Sequence, residues 1–180
     1  MNDIFISRKY LCLDPEPAEN CFLRSSVMRK SEFERIVSKT FWGLEAKHGF
    51  KKIDTTYHRG GVIVRFQNPT TEVILNYEIG ASPWVTIADI NNSETDRISL
   101  DWLLVELGEK KSPSTDEAFS PARMDEGQLE AALKQKSEQL LRFGAGFLKG
   151  DFTLLPRLQK RAEDYLAECK KFADRKNLKT

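Results

Sequence analysis

An α+β fold, with helices packed on an antiparallel sheet, is predicted by two features of the sequence. Apolar residues recur at about 3.6-residue spacing over 31–48, alternate over 50–90, and return to helical spacing over 125–173. The alternating runs are separated by short turns rich in Gly, Pro and Asn, too short for the crossovers that parallel strands need. The expected architecture is an N-terminal helix, a four-stranded antiparallel meander, then a short helix and a C-terminal helical hairpin.

Residues 1–30 are expected to be an irregular appendage, because Asp14-Pro15-Glu16-Pro17 breaks any regular element and the flanking hydrophobics hold no period. Met28 directly precedes the first helix signal, so translation starting there is one reading, with residues 1–27 adding little to the fold; a short edge strand over Ile4–Tyr10 is the alternative. Ser31-Glu32-Phe33-Glu34 reads as a capping box that starts the first helix. Phe33, Ile36, Val37, Thr40, Phe41 and Leu44 continue it as one stripe, and Gly49 stops it.

Strands are expected over Phe50–Tyr57, Val62–Gln67, Glu72–Ile79 and Trp84–Ile90. Val62, Val64, Phe66, Val73, Leu75, Tyr77 and Ile79 then share an apolar face, and Ile63, Arg65, Gln67, Ile74, Asn76 and Glu78 share a mixed one. The first helix is expected on the apolar face and the C-terminal helices on the mixed one. After a polar loop over 91–97, Ser99 can cap a short helix carrying Leu100, Leu103, Leu104 and Leu107. Residues 31–107 thus form the helix and sheet core, and 108–124, rich in Lys, Ser and Pro, a flexible linker. Residues 125–180 supply two helices packed on the same domain, the last with a stripe of Leu158, Ala162, Tyr165, Leu166, Cys169, Phe172 and Ala173.

Composition excludes several classes of function. With 28 basic and 27 acidic residues the chain has a net charge of +1, and no global field draws it to nucleic acid or an anionic membrane. Three cysteines without a C-x-x-C pattern support neither a disulfide framework nor a zinc ribbon, which places the chain in a reducing cytoplasm. Arg8 and Lys9 follow the first apolar cluster, the reverse of a signal peptide, and no apolar run approaches the roughly 20 residues that span a bilayer.

Motifs with chemical content are few. His48 and His58 have no third ligand at metal-binding spacing, so no metal site and no cofactor are expected. Cys169 falls on an apolar stripe and reads as a core side chain. The run Asp89–Glu94 starts like a calcium loop, but Glu94 occupies the turn position that needs Gly and Leu100 the final carboxylate position. Gly144, Gly146 and Gly150 match neither phosphate-loop pattern and follow a helix rather than a strand, so a helix-helix turn is expected. Residues 152–180 hold eight basic and four acidic side chains, read as a solvated helix face whose charges pair at i, i+4. No catalytic residue is assigned.

With Leu44-Glu45-Ala46-Lys47-His48-Gly49-Phe50, the meander, and Phe143–Phe152 with its three glycines, residues 31–160 resemble in pattern small bacterial α+β proteins, some of which are immunity proteins of polymorphic or contact-dependent toxins. It implies a cytoplasmic, non-enzymatic module that occludes a protein partner such as a toxin, and it carries over no functional residue. Arg65 and Trp84 are the candidate binding residues, since alternation directs both to the mixed face and both types are enriched at hot spots. Nucleic acid is not the expected partner. The rival reading is a small hydrolase or nucleic-acid enzyme with a site assembled from His58, Arg59, Glu78 and Asp89.

Overall fold

A computed structural model describes residues 30–58, 60–92, 97–110 and 124–177, with side chains to Lys171. Helix α1 (Lys30–Thr40) buries Phe33, Ile36 and Val37. The chain is already helical at Lys30, so Ser31 lies inside α1 rather than capping it. The single helix expected over 31–48 is also divided. The Thr40 hydroxyl donates to the carbonyls of Ile36 (2.9 Å) and Val37 (3.3 Å), a local bond that competes with the helical ladder. Phe41 turns into the core and stacks on Phe66 with ring centroids 5.7 Å apart, and the chain restarts as α2 (Trp42–His48). Gly49 ends α2 at φ 67°, a backbone that glycine adopts without steric cost.

The sheet has five strands rather than four, all antiparallel and in sequence order: β1 (Lys51–His58), β2 (Gly61–Gln67), β3 (Thr71–Glu78), β4 (Trp84–Asp89) and β5 (Arg97–Ser99). β5 was hidden in the sequence because three residues are too few to show a period. Ser99 both closes β5 and caps α3 (Leu100–Glu106) by accepting from the Asp101 amide. In β1, a bulge between Lys52 and Asp54 leaves Ile53 without a cross-strand partner and 51% exposed.

Helix α4 (Glu126–Phe143) begins with a capping box between Asp125 and Gln128. A 3-10 turn at Phe147–Lys149 then leads to α5 (Leu155–Asn177). The two C-terminal helices do not mainly pair with each other as a hairpin would. α4 packs on α1, α2 and α3, whereas α5 packs on α3 and β5. Ion pairs mark the same division: Arg35 and Lys39 of α1 reach Glu126 and Glu130 of α4, while Arg157 and Arg161 of α5 converge on Glu106 of α3.

Every helix contributes to one apolar core with the same sheet face, Val62, Val64, Phe66, Val73, Leu75, Tyr77, Val85 and Ile87. The C-terminal helices therefore do not cover the mixed face. The stripe expected along α5 holds as far as Tyr165: Leu155 and Leu158 are buried and Tyr165, half-buried, meets Trp102 edge-on at 5.4 Å, but Leu166 is 55% exposed and Cys169 is exposed, so Cys169 is not a core residue. A helix of 23 residues is about 34 Å long and outruns the body it packs on. Of the appendage expected over 1–30, residues 1–29 lie outside the described residues and Lys30 is already helical; of the linker expected over 108–124, residues 111–123 lie outside them.

Candidate functional site

The outer face of the sheet is assembled row by row from strand pairing. Asp54, Arg65, Ile74, Thr86 and Ser99 form one row across the five strands, and Thr56, Ile63, Asn76 and Trp84 form the next. Arg65 and Trp84 thus share this face, as alternation places them, on either side of Ile74. Two strand spacings and two residue rises separate them by about 12 Å. Arg65 is held by Glu72 at 2.9 Å, with its side chain 33% exposed. Ile74 is buried at 4% although it is outside the helix-covered core, and Ile63 and Trp84 are half-buried. None of the described helices packs over this surface, which combines aliphatic, aromatic and paired charged groups.

The residues of the rival constellation are divided. His58 faces Gly61, which faces Glu78, so these two candidates belong to one outer row. The imidazole occupies the space left by the missing side chain: a Cβ on Gly61 would come within 2.6 Å of His58 Cε1. Asp89 instead faces Thr71, seven residues along β3 from Glu78 or about 23 Å away. Its carboxylate accepts from the Asn91 amide (2.9 Å) and the Asn92 side chain (2.6 Å), closing a turn. Arg59 lies outside the described residues.

A cleft of about 270 Å³ opens between the Ser82–Pro83 turn, α3 and α4, lined by Asp101, Lys110, Gln135, Lys136 and Gln139. Asp101 accepts from Lys136 at 2.9 Å and from Lys110 at 3.4 Å. Burial by itself would raise the Asp101 carboxyl, but the two ammonium groups outweigh it and hold the group below the usual carboxylate range. Charges that neutralise each other in this way tie α3 to α4. The 144–150 turn is likewise occupied structurally: Thr71 Oγ1, fully buried, donates to the Phe147 carbonyl at 2.7 Å, and Asn68 Nδ2 to that of Leu148 at 2.9 Å.

Among the described residues no group of three or more His, Cys, Asp or Glu side chains is placed to hold a metal ion, and no helix is long and apolar enough to cross a membrane. One exposed side chain escaped the sequence reading. Trp42 is 61% exposed at the start of α2, beside the buried Phe41. A helical-wheel count finds it, since neighbours differ by about 100° and only one of the pair can face the core. In class, the chain is an α+β protein with a helical layer on one side of an antiparallel meander and an outer sheet face that none of its described helices covers. Compared with known protein families, curated proteins and solved structures, it matches none.

Proposed function

We propose that the protein is a non-enzymatic protein-binding module that presents the outer face of its sheet to a protein partner, in the manner of a cytoplasmic bacterial immunity protein occluding a toxin. The observation that carries this reading is the placement of Ile63, Trp84 and Arg65, each half-buried, around the buried Ile74 on one face with no described helix over it. A sheet face facing only water alternates to polar residues. Here aliphatic and aromatic side chains sit among charged ones, the mixture found at protein contact surfaces. The separation of Asp89 from His58 and Glu78 weighs against the enzyme reading.

Capture of the partner from native cytoplasm, followed by titration with variants, tests the proposal. Arg65→Ala and Trp84→Ala are each expected to weaken binding by about 2 kcal/mol or more, with His58→Ala nearly unchanged. Full binding by both surface variants, or a catalytic turnover abolished by His58→Ala, would reject it.

A further inference from the structure

Helix α5 outruns the body, and its charges are left unpaired where it does so. From Leu166 to Lys171 every side chain is exposed, and the helix continues to Asn177, so about 18 Å of it projects. A helix of that length standing alone is marginal in water, because nucleation costs more than so few turns return. The i, i+4 pairing expected along this helix is not made. Among the described residues its ion pairs are those of Arg157 and Arg161 with Glu106 of α3, while Glu163, Asp164, Glu168, Lys170 and Lys171, all exposed, form none.

These groups are divided between two sides of α5. At about 100° per residue, Glu163, Leu166 and Lys170 fall within about 60° of one another and about 80–140° from the buried Leu158, on a side that the body does not cover. Asp164 and Glu168 occupy the opposite side. Glu163 and Lys170 are equidistant from the midpoint between Leu166 and Ala167, about 5 Å along the axis in each direction. A twofold axis through that midpoint sets Glu163 against Lys170 of a second copy and Lys170 against its Glu163, with the two Leu166 side chains meeting between them. Parallel alignment would instead oppose like charges, and on the other side the same axis would bring Asp164 to Glu168.

We propose that α5 pairs antiparallel with α5 of a second copy of this chain through Glu163, Leu166 and Lys170. Each projecting half then lies along the half of the other helix that is packed on α3, and the overlap runs almost the whole helix, about 34 Å. The two ion pairs set register and direction, and the leucines supply the apolar contact at the axis. This surface belongs to a different element from the outer sheet face, and the inference does not depend on the partner-binding reading.

Sedimentation equilibrium of the full chain, in reducing buffer so that Cys169 cannot cross-link copies, tests the proposal. The chain should dimerise as its concentration rises, and less readily as salt is added. Glu163→Lys and Lys170→Glu each turn both ion pairs into like-charge contacts, and each should raise the dimer Kd about tenfold or more. An equimolar mixture of the two variants should dimerise again, and so should the double variant, since both restore opposite charges across the axis. Leu166→Ser should weaken the dimer, whereas Glu168→Lys on the other side should leave it unchanged. All four positions are exposed, so these substitutions leave the fold intact. A chain that stays monomeric at the highest attainable concentration, a dimer indifferent to the charge variants, a mixture that fails to recover, or a Kd altered by Glu168→Lys would overturn the proposal.

Discussion

Tyr57 shows how one side chain on an edge strand couples the sheet to the first helix. Its ring lies under the Lys30 ammonium at 4.5 Å, and its hydroxyl donates to Glu34 Oε1 at 3.3 Å. Burial, and then the Glu34 charge and hydrogen bond, push the phenol from 10.0 up to about 12. A phenol whose pKa is raised on folding contributes stability that is fully present below its unfolded value. That contribution disappears as pH rises through the folded value. Urea melts should therefore show an alkaline loss of stability beginning near pH 10 and complete above about pH 12, and Tyr57→Phe should remove it. An identical alkaline limb in both proteins would refute the coupling. Gly61 illustrates a different residue-scale constraint, because its Cβ would meet both the His58 ring and the Tyr77 carbonyl oxygen, each at 2.6 Å. Gly60-Gly61 reads as a turn from its residues alone, and the close approach of two neighbouring strands adds a packing constraint at Gly61.

Between elements, the decisive contacts join segments far apart in sequence. Asp101 of α3 and Lys136 of α4 are linked at 2.9 Å, with side chains 22% and 15% exposed. Asp101→Asn removes the charge while keeping the shape, so Lys136 is left largely buried without its counter-ion. The expected cost at neutral pH is about 1–3 kcal/mol. A carboxyl held below its usual range contributes stability that is present above the unfolded pKa, about 3.9, and is lost as pH falls through the folded one. Wild type and variant should accordingly converge in acid; a gap that persists at the lowest pH would assign the effect to packing instead. None of this was legible in the sequence, because Asp101 and Lys136 stand 35 residues apart. The caps at Ser99 and Asp125 were within reach because a cap is decided by residues two or three apart. The break at Phe41 was not, since it depends on Phe66 offering a ring to stack on.

Taken as a whole molecule, the domain is a helical layer on one side of the meander, and Leu75 sits at its centre with no exposure. Truncation to Ala should cost about 2–5 kcal/mol, since a cavity remains where surrounding strands and helices cannot collapse. Urea melts would measure it, and a loss below about 0.5 kcal/mol would contradict the core assignment. The outer sheet face proposed to bind a partner lies opposite that core, so variants at Arg65 and Trp84 probe recognition more than stability.

Sequence alone determined the α+β class, the first four strands within a residue or so at each end, and the division of the sheet into an apolar and a mixed face. Each depends on local period and turn chemistry, which are written in consecutive residues. It also placed Arg65 and Trp84 on a common face, because the period of two is geometric. Only the tertiary structure decided that all helices choose the apolar face, that α4 and α5 pack on different neighbours, and that α5 outruns the body so that Cys169 is exposed. Those outcomes depend on which amphipathic stripe buries most area against which partner, a competition among distant segments that no window of the sequence contains.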